Sequence, residues 1–106
     1  MKFRITVIKK MENRDLAEQF CQTGTNACPC PAHKEGQEFF TEFEKPEGFC
    51  EWAWDDIYKY VAIFRSGGNM GDAFNWMKTN NNVVVCCTDG IRPVVFNLEK
   101  ICESAN

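Results

Sequence analysis

The segment Cys28-Pro-Cys30-Pro-Ala-His33 sets two thiols and the only histidine of the chain within six residues. Thiolate sulfur and imidazole nitrogen are the donors that zinc and other transition metals select. The two prolines stiffen the loop and so reduce the entropy lost on ligation. The C-x-C-x2-H spacing is not that of a finger or ribbon, and no matching second half follows. A proline-rich surface loop with incidental cysteines is the competing reading.

Cys50 is the second chemical position. It follows Pro46-Glu-Gly-Phe and opens the longest helical pattern, where unpaired N–H groups and the helix dipole favour a thiolate. A thiolate there serves as nucleophile, redox group or metal ligand, with His33 as the available base. Against this stands simple packing, since Cys50 also begins the apolar stripe of that helix and free cysteine is among the most buried residue types. Cys86 and Cys87 are adjacent on a strand, so their side chains face opposite sides. One belongs to the core; the other, beside Asp89 and Arg92, is placed to join a site. The candidate metal ligands are therefore Cys30, His33, Cys50 and Cys86 or Cys87, with zinc the first metal to consider.

Trp52, Trp54 and Trp76 offer a different chemistry, a ligand pocket shared with Phe74 and Tyr58. Aromatics at helical spacing are more often core. Trp52 lies off the apolar stripe and better suits a pocket wall or a subunit interface. With Trp76 and Arg92 it makes up the candidate set for holding a small ligand. There is no phosphate-binding glycine loop with its lysine and no serine elbow, and a lone histidine argues against a hydrolytic triad.

Composition narrows the classes further. A chain of 106 residues suits one domain, residues 1–106, that buries a core without disulfide staples. A net charge of −3 with mixed signs argues against a broad nucleic-acid footprint. The run Phe3–Ile8 is too short and too alternating for a signal-peptide core, and no apolar stretch has the length to span a bilayer. The expectation is a cytoplasmic protein without nucleic-acid or membrane partners, leaving a small molecule, a metal or a second copy of the chain. Seven cysteines, an odd number, in a reducing compartment read as core thiols, ligands or redox groups.

These residues must be positioned by a few elements. Lys2–Lys10 alternates, with Phe3, Ile5 and Val7 on one face, which predicts a half-buried strand. Asn13 is placed to cap a short helix, Arg14–Cys21, with Leu16, Ala17, Phe20 and Cys21 as its stripe. Gln37–Glu44 alternates again, entered through the turn Glu35-Gly36-Gln37. Cys50, Trp54, Ile57, Val61 and Phe64 recur at helical spacing and define the main helix, about Cys50 to Arg65. Glu51, Asp55 and Lys59 fall on its solvent side, and Ser66-Gly67-Gly68 ends it. Asp72–Lys78 suits one further helical turn.

The runs around Asp89-Gly90 predict a carboxy-terminal hairpin. A two-residue turn would set Val85 opposite Val94 and Val83 opposite Phe96, with Gly90 supplying a positive φ. It would also set Pro93, which lacks an N–H, opposite Cys86, so a bulge or a longer loop is expected around Thr88–Arg92. The sum is an α+β domain: a small, mostly antiparallel sheet of about four strands, covered by one main helix and curling towards a barrel.

The motifs Cys-Pro-Ala-His-Lys-Glu-Gly-Gln-Glu-Phe (30–39), Pro-Glu-Gly-Phe-Cys-Glu-Trp-Ala-Trp (46–54), Gly-Gly (67–68) and Cys-Cys-Thr-Asp-Gly-Ile-Arg-Pro-Val-Val-Phe (86–96) stand in this order. In them the chain resembles a family of small uncharacterised bacterial and archaeal proteins of about this length. The family has no established activity, so the resemblance implies no catalytic residue and no partner.

One geometric expectation decides how the site is read. The 23–36 loop enters the second strand and the 46–50 segment leaves it. A fully extended Gln37–Glu44 would hold them roughly 25 Å apart at about 3.3 Å per residue. On that basis Cys50 and Cys87 rank above Cys30 and His33 as members of one site.

Overall fold

Alternation at the amino terminus produces the central strand. Lys2–Lys10 forms β1, with Phe3, Ile5 and Val7 fully buried and Arg4 and Thr6 on the opposite face. The computed structural model describes residues 1–22, 30–73 and 75–101. Its further elements are α1 (Arg14–Phe20), β2 (Glu38–Thr41), α2 (Glu51–Arg65), α3 (Met70–Ala73), β3 (Asn82–Cys86) and β4 (Val94–Ile101). Cys28, Phe74 and Cys102, and with them part of the cysteine-rich loop, lie outside the described residues. No helix among the described residues is long and apolar enough to cross a membrane.

The strands form one antiparallel sheet in the order β2-β1-β4-β3. The sheet is open, so the expected curl towards a barrel does not occur. Its inner face meets α2 through Ala53, Ile57, Val61 and Phe64, all buried, while Glu51, Asp55 and Lys59 are exposed as the helical spacing requires. Burying side chains of this size contributes about 1.5–3 kcal/mol each. Gly67, at φ 90°, lets the helix close. Its N–H donates to the Phe64 carbonyl and that of Gly68 to the Ile63 carbonyl, which satisfies two otherwise orphaned acceptors.

Three local expectations are corrected. Helix α1 ends at Phe20 and buries only Ala17 of its predicted stripe; Phe20 is 73% exposed. Asn13 does not cap it by a side-chain hydrogen bond. Its Nδ2 donates instead to the Gly90 carbonyl at 2.6 Å, and its N–H to that of Ile91 at 2.8 Å, so the start of α1 is tied to the hairpin loop. Strand β2 stops at Thr41, whose hydroxyl donates to the Glu44 carbonyl and turns the chain.

The hairpin differs most. Val85 stands opposite Phe96 and Val83 opposite Leu98, and the ladder closes with the Cys87 N–H on the Val94 carbonyl at 3.0 Å. The connection is the longer loop Thr88–Pro93, because Pro93 has no N–H to give the ladder and the closing pair moves past it. Gly90 does not adopt a positive φ. The turn is held by Asp89, whose Oδ1 accepts from the N–H groups of Arg92 and Ile91, both at 2.9 Å. The Arg92 N–H, followed by that of Ile91 and the Arg92 charge, holds the Asp89 carboxyl below the usual carboxylate range.

Candidate functional site

Two glycine turns bracket β2. In Lys34–Gln37 the Gln37 N–H donates to the Lys34 carbonyl at 3.1 Å with Gly36 at φ 88°. In Pro46–Phe49 the Phe49 N–H donates to the Pro46 carbonyl at 3.1 Å with Gly48 at φ 78°. A positive φ at the third residue is the type II pattern, which glycine adopts without steric cost. The first turn is laid on β1 by the Gly36 N–H to the Val7 carbonyl at 2.7 Å and the Val7 N–H to that of Gln37 at 2.9 Å. Glu35 reinforces it by accepting the Lys10 N–H at 2.9 Å.

Between them the turns bring His33 and Cys50 together. The Cys50 N–H donates to His33 Nε2 at 3.3 Å. This overturns the expected separation, because β2 is only four residues long and the chain folds back at both of its ends. Cys50 takes the position just before α2, its φ of −64° and ψ of 127° extended, and its carbonyl accepts the first helical bond, from the Trp54 N–H at 2.9 Å.

His33 is 3% exposed and sits in a box of rings. Phe49 stacks on it at 5.0 Å, while Phe39 at 5.3 Å and Phe96 at 5.8 Å meet it edge-on. Burial lowers its pKa below the ordinary histidine value, the Lys10 charge adds to this, and the Gln37 side chain opposes it. The imidazole is therefore neutral near pH 7. Because Nε2 accepts from an amide, Nδ1 carries the proton, and it has no hydrogen-bond partner among the described residues. A shallow cleft of about 420 Å³ lies over this region, lined by Pro31, Ala32, His33, Lys34, Glu35 and Gln37.

The aromatic contacts continue outward from the box. Phe49 meets Trp54 at 6.3 Å, Trp54 meets Tyr58 at 5.8 Å, and Tyr58 meets Phe43 at 5.9 Å, with the Arg65 guanidinium 5.0 Å from the Phe43 ring. Trp54 and Tyr58 stand at i, i+4 on α2, the spacing that sets two rings side by side on a helix. Phe39, Phe49 and Phe96 as a histidine box carried no signal, since it draws on a strand, a turn and a distant strand.

The other candidates divide. Cys30, Cys50 and Cys87 are half-buried and pack against the main core. Cys87 Sγ also accepts the Val94 N–H at 3.3 Å, which ties this thiol to the hairpin ladder. Cys86 faces outward, and partial burial, the neighbouring Cys87 and the Asp56 carboxylate raise its pKa, keeping it a thiol. Asp56 lies beside the apolar stripe of α2 with its Oδ2 buried and unpartnered among the described residues. No three His, Cys, Asp or Glu side chains among the described residues are arranged to hold a metal ion.

Trp52 and Trp76 are 72% and 71% exposed, and Arg92 faces Asp89 at 3.5 Å. None of the three lines the cleft over His33 or a second one along Phe40–Pro46. No family model, curated protein or solved structure matches the chain.

Proposed function

We propose that the protein acts through a thiol-based site at the start of α2, with Cys50 as the reactive cysteine and His33 beside it. The supporting observation is the Cys50 N–H to His33 Nε2 hydrogen bond, which sets the one imidazole of the chain against the helix-start cysteine. Neutral imidazole nitrogen is a proton acceptor, and Nε2 is the nitrogen on the Cys50 side. To act as base, Nε2 gives up the hydrogen bond it accepts from the Cys50 N–H and takes the thiol proton, leaving the Cys50 thiolate. Unpaired N–H groups and the dipole at a helix start such as that of α2 favour an anion there. The chemistry this arrangement suits is attack of the Cys50 sulfur on an electrophilic substrate or a disulfide.

A zinc-binding reading comes second: Cys30, Cys50 and Cys87 pack against the same core, but no three donors among the described residues stand together, so the ion would need a rearrangement to bind. One experiment separates the two. Anaerobically purified protein is analysed for metal and then briefly alkylated at neutral pH, with the modified cysteines identified by mass spectrometry. Selective labelling of Cys50, slowed in His33→Ala, supports the thiol site. Stoichiometric zinc that Cys50→Ser loses supports the metal. Inert thiols and no metal would leave both readings without support.

A further inference from the structure

Strand β3 ends the sheet. It pairs with β4 and, among the described residues, with no other strand. The ladder shows which of its backbone groups are spare. The Asn81 carbonyl accepts from Lys100 and the Cys87 N–H donates to Val94, so odd-numbered residues from 81 to 87 face β4. In an antiparallel pair the bonded positions alternate. The N–H and C=O groups of Asn82, Val84 and Cys86 therefore point away from the sheet.

The two edges of the sheet are protected unequally. The outer strand β2 is four residues long, carries Glu38, and is followed by Glu42, Glu44 and Pro46, the charges and proline that discourage strand addition. By contrast Asn82-Val-Val-Val-Cys86 has no charge and no proline, and Val84 is 49% exposed.

We propose that β3 is the self-association edge of this protein, pairing antiparallel with β3 of a second copy across a two-fold axis at Val84. This register is self-complementary, as a two-fold interface requires. Val84 meets its own counterpart, and Asn82 meets Cys86 of the other copy. Every outward N–H and C=O of the three residues finds a partner, and no like charges are brought opposite each other on the strand. The result is a continuous eight-stranded sheet. One strand pair is a small interface, so the association is reversible and depends on concentration.

The wild-type chain provides the first test, by amide hydrogen exchange at low and high protein concentration. The amides of Asn82, Val84 and Cys86 should exchange freely when dilute and become protected, about tenfold or more, when concentrated. Sedimentation should show a dimer that V84K weakens about tenfold, since like charges directly opposite replace an apolar pair. Under mild oxidation V84C should yield a covalent dimer linked through the introduced thiols, because a bonded antiparallel pair sets its Cα atoms about 5.5 Å apart, within disulfide range. Exchange independent of concentration overturns the proposal, as does a chain that remains monomeric. Protection confined to another surface, such as that around Trp52, overturns it too.

Discussion

The N–H of Cys50 reaches Nε2 of His33 across 3.3 Å, although the two residues lie on opposite sides of a strand in the sequence. The bond joins the stiff 30–37 loop to the entry of the main helix. Burial inside a ring of phenylalanines keeps the imidazole neutral. Structure and candidate chemistry share the same atoms here.

Replacing His33 by alanine removes a buried ring and leaves the Cys50 N–H without its acceptor. The expected cost is about 2–4 kcal/mol, combining cavity and lost hydrogen bond. Urea unfolding measures it. A loss below about 1 kcal/mol would mean that the loop closes over the gap without strain.

Stability should fall as the pH drops from 7 to 5. His33 has a lowered pKa in the fold and an ordinary one, about 6.5, in the unfolded chain. The unfolded chain thus takes up the proton first, and the stability is lost progressively as pH falls below the unfolded value. The chain has no other histidine, so His33→Phe should flatten this part of the profile. The Asp89 contribution has the same sign but is lost only at more acid pH, as the carboxyl is protonated on the way down through its lowered folded pKa. Thermal unfolding at pH 7, 6 and 5 for both proteins checks the assignment.

In the hairpin loop the sensitive residue is Asp89, and Gly90 is not. A Cβ at Gly90 meets nothing within 4 Å, and its φ is not positive. Gly90→Ala should change stability by less than about 0.5 kcal/mol. Asp89→Ala forfeits two hydrogen bonds from backbone N–H groups and should cost roughly 1–2 kcal/mol. Reversal of that order in chemical denaturation would show that the loop is held some other way.

On α2, Ile57→Ala should cost about 2–5 kcal/mol and Lys59→Ala less than about 0.5 kcal/mol. Ile57 is fully buried and Lys59 exposed. Gly67→Ala should destabilise by about 1 kcal/mol, because φ 90° is strained for a residue with a Cβ. Equilibrium unfolding of the three variants tests the helix face and its cap together.

Much of this architecture is written in local pattern. The alternation of Phe3, Ile5 and Val7 and the spacing of Ile57, Val61 and Phe64 follow from backbone periods that need no partner to be read. Gly67 shows its role in the same way, since a helix stop is a property of adjacent residues. The hairpin was half legible. Its strands and the obstruction at Pro93 could be seen, but the register depended on the lengthened loop and on Asp89 taking the turn from Gly90. The pairing of His33 with Cys50 was decided only by tertiary structure. Their adjacency depends on how early β2 ends, and that is set by the Thr41 hydroxyl and by two turns closing towards each other, which no period in the sequence encodes. The same holds for α1, whose apolar residues suggested a buried stripe. A short helix is placed by what anchors it, and the anchor, the Gly90 and Ile91 carbonyls, comes from the far end of the chain.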